Sequence, residues 1–86
     1  MPRYEITFAR SARKELQALP LAIAERILEK IELLAVNPRP AGCKKLRGQT
    51  GLWRIRVGEY RVIYNIDDGT RVVDVSVVRH RSGAYN

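Results

Sequence analysis

The apolar positions change their spacing twice along the chain, and each change marks a change of secondary structure. Tyr4, Ile6 and Phe8 alternate with Arg3, Glu5 and Thr7, the period of two that turns one face of a strand to a core. A half-buried first strand is predicted over residues 3–8. From Ala9 the period lengthens: Ala12, Leu16 and Leu19 recur at helical spacing, with Arg13, Lys14, Glu15 and Gln17 between them. A short helix should therefore end before Pro20. Pro20 suits the first position of a second helix, where its missing N–H costs nothing. Ile23, Ile27, Ile31 and Leu34, flanked by Ala24, Leu28 and Ala35, give that helix a broad apolar stripe to about Val36. Glu25, Arg26, Glu29, Lys30 and Glu32 stay on the wet side. Asn37 and Pro38 stop it, because a residue before proline is biased away from helical angles.

Period two then returns. After a connection over residues 37–42, a short strand is expected at Cys43–Leu46, before a glycine-rich loop at 48–51. Leu52 to Ile66 forms a hairpin in which Trp53, Ile55 and Val57 face one way and Arg54 and Arg56 the other. Gly58 and Glu59 are the turn, with Gly at the first central position as a type II′ turn requires. On the return, Tyr60, Val62, Tyr64 and Ile66 share a face and leave Arg61 opposite. If the two apolar faces coincide, Arg54, Arg56 and Arg61 converge on one exposed surface. Asp67, Asp68 and Gly69 supply a second turn, and Arg71–Val78 reads as the final strand, with Val73, Val75 and Val77 alternating with Asp74 and Ser76. Continued alternation would send Arg81 to the core. For Arg81 to join the open face, the strand has to end or bulge near Arg79.

Strand, helix, helix, strand meander is the order of an α+β domain: a mostly antiparallel sheet with a two-helix hairpin on one face. Residues 1–86 form a single domain, too short for two cores. The helices should cover Phe8, Trp53, Ile55, Val62, Tyr64, Val73 and Val75. Sheet order is not legible at this level.

Charge sharpens the picture on the uncovered face. The net charge is +7, and it is uneven: residues 1–41 carry +2 and residues 42–86 carry +5. A basic, strand-rich surface implies a polyanionic partner. A single cysteine, Cys43, excludes an internal disulfide, and with one histidine the chain has no zinc-ligand spacing, so no metal or other cofactor is expected. No apolar run approaches the ~20 residues of a membrane span, and no signal-peptide pattern opens the chain, so a cytoplasmic protein without membrane association is expected.

Three words, KKLRG, LWRIRVGEYRVIY and VVRHRSGAY, in this order and after a strand–helix–helix pattern, resemble the RelE/ParE superfamily of toxins over nearly the whole chain. VGEYRVIY and the closing RHR with a following tyrosine are similar to the RelE branch. The resemblance implies the RelE-like microbial ribonuclease fold and the toxin of a type II toxin–antitoxin pair. It implies a metal-independent endoribonuclease that cuts messenger RNA in the ribosomal A site by attack of a ribose 2′-OH on the adjacent phosphate. The partners implied are the ribosome with its mRNA and a cognate antitoxin. Carried over by position, the family's basic strand residues fall on Arg54 and Arg56, its hairpin arginine on Arg61, its C-terminal basic residue on Arg81 and its terminal tyrosine on Tyr85. Where studied members carry lysines on the strand, this chain has arginines, which do not give up a proton at neutral pH. Arg54 and Arg56 are therefore assigned to phosphate binding and to the dianionic transition state. His80, whose side-chain type titrates near physiological pH, is a candidate acid or base; Glu59 is a second, although the turn alone accounts for it. Lys44, Lys45 and Arg47 form an expected RNA-binding rim. Two other readings stand beside this one: a ParE-like toxin that inhibits DNA gyrase by protein contact, and a nucleic-acid-binding module without catalysis. The complete set of Arg54, Arg56, Arg61, Arg81 and Tyr85 favours the nuclease.

Overall fold

The computed structural model describes residues 3–48 and 51–83. In chain order the elements are β1 (Glu5–Phe8), α1 (Arg10–Gln17), α2 (Leu21–Leu33), β2 (Lys44–Lys45), β3 (Leu52–Val57), β4 (Tyr60–Asp67) and β5 (Val72–His80), closed by a 3₁₀ turn at Arg81–Gly83. The expected order is present, and the differences lie at the ends. Pro20 is the N-cap of α2 rather than its first residue, with ψ at 142°; its carbonyl accepts the N–H groups of Ile23 and Ala24. Leu34, Ala35 and Val36 follow α2 in a tighter turn, each N–H reaching the third residue back. Among the described residues no helix is long and apolar enough to cross a membrane.

One five-stranded sheet runs β1-β5-β4-β3-β2. The meander from β2 to β5 is antiparallel, whereas β1 lies parallel to β5, with Glu5 opposite Val72 and Phe8 opposite Val75. Ala12, Leu16, Ile27, Ile31 and Leu34 from the helical layer pack on Ile55, Val57, Val62, Tyr64, Ile66, Val73, Val75 and Val78. Two helical stripes and one sheet face thus share a single core. Trp53 is half-buried at its edge, where the Arg39 guanidinium lies 5.1 Å from its ring centre. The buried Tyr64 hydroxyl donates to the Pro38 carbonyl at 2.8 Å, and burial, then nearby Cys43, holds its phenol above the ordinary range. That bond ties the 37–42 connection to the middle of the sheet; stranding the carbonyl would cost about 1–3 kcal/mol.

The final strand departs from the expected pattern in a way that matters for function. Ile63 pairs with Val77, yet Tyr64 pairs with Val75, so Ser76 is an extra residue in β5. Side chains before and after the bulge therefore change parity. Val78, not Val77, enters the core, and Arg79 moves to the open face. Beyond Phe8, β5 has no strand on that side among the described residues, and α1 covers its edge instead. The Ser11 hydroxyl donates to the Ser76 carbonyl at 3.4 Å, and the Val78 N–H donates to Glu15 Oε1 at 2.8 Å. The second hairpin also differs in detail: the residue with positive φ is Arg71, at 58°, and not Gly69.

Candidate functional site

The site grows from the tightest turn in the sheet. Gly58 has φ of 59° while Glu59 has no positive φ, the pattern of a type II′ turn, so strands β3 and β4 are joined by two residues. A two-residue loop fixes the register: Val57 pairs with Tyr60, and Arg56 with Arg61. Val57 and Tyr60 close the turn as a hydrogen-bonded pair, so the next pair out, Arg56 and Arg61, is the non-hydrogen-bonded kind, in which opposed side chains come closest. Arg61 in turn pairs with Arg79 of β5, so three arginines stand in a row across three strands. One ladder step away, Lys44 pairs with Arg54, and Arg54 with Ile63. Ile63 is only 4% exposed although it lies on the open face, and it does not belong to the main core cluster. Arg54 stands opposite it in the ladder, and an arginine's aliphatic stem can lie over such a side chain while its head stays wet.

Two shallow depressions meet along this face. The first, of about 400 Å³, is lined by Arg56, Gly58, Glu59, Tyr60, Arg61 and Arg81. The second, of about 320 Å³, lies beside it between Gly42, Lys44, Arg54 and Arg56. Arg56 borders both. No carboxylate comes within ion-pair distance of Arg54, Arg56 or Arg61 among the described residues. The Nε atoms of Arg54 and Arg61 are buried and lack any hydrogen-bond partner. Unpaired donors and like charges held together are costly in the free protein, and an anion relieves both.

Arg81 reaches this surface because the bulge at Ser76 has already reversed the parity of β5, so that Arg81, two residues beyond Arg79, falls on the open side as the strand ends at His80. Its N–H donates to the Glu59 carbonyl at 2.7 Å, and its guanidinium lies 3.4 Å from Glu59 Oε1. Arg79 is held differently: Glu15, fixed by the Val78 N–H, also accepts from Arg79 Nε at 3.2 Å. Sequence reasoning missed Arg79. The available signal was the adjacent Val77–Val78 doublet, which breaks the alternation of β5.

Not every expected residue joins this surface. His80 pairs with Tyr60 on the helix side of the sheet, their rings edge to face with centres 5.1 Å apart. Its Nδ1 accepts the Ser82 N–H at 3.1 Å and lies 2.7 Å from the Ser82 hydroxyl. Lys45 pairs with Trp53 and so shares its side of the sheet, while Arg47 sits exposed in the turn after β2; only Lys44 of that group lines up with the arginines. Tyr85 lies outside the described residues.

Two helices over one face of a mixed sheet, with arginines on the other, of which Arg54, Arg56 and Arg61 have no ion-pair partner among the described residues, define the class: a small basic α+β protein on the RelE-like plan. The family model for the ParE toxin of type II toxin–antitoxin systems matches residues 6–85, and the chain belongs to this family, within the RelE branch of the RelE/ParE superfamily. It is 38% identical to Toxin RelE of Mycobacterium tuberculosis over 84 residues, covering 95% of this chain and 86% of that one. Among solved structures, the RelE–RelB complex of Pyrococcus horikoshii is similar at a TM-score of 0.82 and 32% identity, covering 98% of this chain and 100% of that chain. The intact RelBE toxin–antitoxin complex of Escherichia coli follows the same fold at a TM-score of 0.80 and 29% identity, over 96% of this chain and 99% of that chain.

Proposed function

We propose that this toxin is a ribosome-dependent endoribonuclease, which cuts messenger RNA in the ribosomal A site and so stops translation. The observation that carries the reading is the Arg56–Arg61 pair, two arginines opposed across a hairpin with no carboxylate within ion-pair distance among the described residues. A phosphodiester is the RNA group that fits such a pair. When a 2′-oxygen attacks the adjacent phosphate, charge grows on the phosphoryl oxygens, and N–H donors already in place bind them more strongly as it grows. Arg56, Arg61 and Arg81 are assigned to that charge, and bidentate guanidinium geometry suits it. Arg54 and Lys44 are assigned to a neighbouring phosphate along the groove. Arg79, opposite Arg61 and held by Glu15, is a further phosphate ligand. His80 is assigned to orientation: its ring braces Tyr60 and its Nδ1 holds the turn from which Arg81 projects. No step in this reaction calls on a metal.

Mutually repelling cations also explain a need for a protective partner. The solved RelE relatives include complexes with an antitoxin, which supports a cognate antitoxin here, presenting carboxylates or a blocking helix to the cleft. Ribosome and mRNA as targets imply a cytoplasmic site of action. The test is to map transcript ends after brief induction in cells. Cuts within translated regions, weak on free RNA, are expected. Growth arrest with intact transcripts and accumulated gyrase–DNA breaks would select a gyrase-directed toxin instead.

A further inference from the structure

Resting on the nuclease reading above, we infer that Glu59 accepts the proton of the attacking 2′-hydroxyl. Among the described residues lining the arginine cleft, Glu59 alone carries a side chain that is an anion, and hence a proton acceptor, at neutral pH. The arginines around it keep their protons, and His80 stands on the other side of the sheet with Nδ1 engaged by Ser82. The Gly58–Glu59 turn is short and its register fixed, so the carboxylate is carried on a rigid part of the sheet. Its contact with Arg81 is a loose one, 3.4 Å long between side chains 66% and 63% exposed, and such pairs hold little energy. A phosphate entering the cleft can therefore take the Arg81 guanidinium for itself. Glu59 would then have an anion beside it in place of its cation, a change that makes a carboxylate a better base.

The charged groups facing Glu59 are Arg56 from β3, Arg61 from β4, Arg81 after β5 and Arg26 from α2, the last across a smaller apolar groove. All four keep their charge at neutral pH, and none of them can take up a further proton. In the step itself the 2′-oxygen forms its bond to phosphorus and its proton passes to Glu59. The bond from phosphorus to the 5′-oxygen breaks, and that oxygen leaves with the electron pair and takes a proton from water. The products are a 2′,3′-cyclic phosphate and a 5′-hydroxyl.

Single-turnover cleavage on programmed ribosomes, at saturating toxin and across pH, tests this with the wild type, Glu59→Gln, Glu59→Asp and Arg81→Ala. Binding is read separately with an mRNA carrying a 2′-deoxy residue at the cut site. Removing a general base should slow Glu59→Gln about 10²- to 10⁴-fold and remove the acidic limb of the wild-type profile. Binding of the 2′-deoxy message should hold or tighten, and Glu59→Asp should recover part of the rate. The exposed turn position keeps the melting temperature unchanged, which separates loss of chemistry from loss of fold. A Glu59→Gln rate within threefold of wild type overturns the inference while leaving the nuclease reading intact. So does a Glu59→Gln loss that is uniform across pH and leaves the shape of the profile unchanged, since Glu59 would then act only through Arg81. A wild-type toxin that leaves the programmed message whole overturns the nuclease reading itself.

Discussion

Replacing Arg61 by Met should make the protein more stable and the toxin nearly inactive. Arg61 sits between Arg56 and Arg79 in the ladder, and like charges directly opposed cost about 0.2–1 kcal/mol per pair. The Arg79 side is partly relieved by Glu15, so most of the repulsion comes from Arg56. A buried, unpaired Nε adds a further cost, on the scale of about 1–3 kcal/mol for a fully desolvated donor, reduced here because the rest of the guanidinium stays hydrated. Methionine keeps an unbranched apolar stem to cover Ile63 and removes both penalties. The net gain should be about 1 kcal/mol, which for a domain of this size raises the melting temperature by about 4–8 °C. In 1 M salt the repulsive part should shrink, since screening acts over about 3 Å there. Urea unfolding at low and high salt measures the stability, and single-turnover cleavage on programmed ribosomes measures the chemistry, where a loss of about 10²- to 10³-fold is expected. If Arg61→Met instead lowers stability by 1 kcal/mol or so and leaves cleavage unchanged, Arg61 is a structural residue and the reasoning fails.

Asp68 accepts from both Arg39 and Tyr4, and these bonds, Arg39 first, lower its carboxyl to about 2. Its folded value lies below the unfolded one, so its contribution is complete above about pH 4 and disappears as the pH falls towards 2; Asp68→Asn should flatten that part of an acid unfolding curve, and an unaltered curve would dismiss the network as a source of stability. Gly58→Ala meets no steric obstacle, the nearest side-chain atom to an added Cβ being 3.9 Å away on Arg26, but φ at 59° disfavours any L side chain. A loss of about 1–2 kcal/mol is expected in urea unfolding, with cleavage reduced through the loosened Arg56–Arg61 register, and full stability would contradict the assigned turn geometry.

Much of this molecule was legible because its signals are local. The switch from period two to helical spacing and back located the helices and strands, though not the closing 3₁₀ turn or the extension of β5 to His80, since side-chain direction along a strand or helix follows from backbone geometry alone. Gly58 followed by Glu59 marked a two-residue turn, and alternation sent Arg54, Arg56 and Arg61 to one surface on the condition that the apolar faces coincide; the register meets that condition and sets Arg56 opposite Arg61. The open arginine face followed from the same alternation that built the core. What the chain could not declare by itself were the consequences of distant pairing. β1 lies parallel to β5 at a sheet edge, a contact between segments more than sixty residues apart that no local pattern encodes. One extra residue at Ser76 reverses parity downstream, putting Val78 in the core and Arg79 in the arginine row, and whether a strand bulges depends on the partner strand that must accommodate it. The same tertiary packing set His80 against Tyr60, brought Glu15 from α1 to the free edge of β5, and joined Arg81 to Glu59 across the cleft. Sequence determined which residues were charged and which way most strands faced; only the assembled sheet decided which of those charges stand side by side, because that depends on pairing between distant segments.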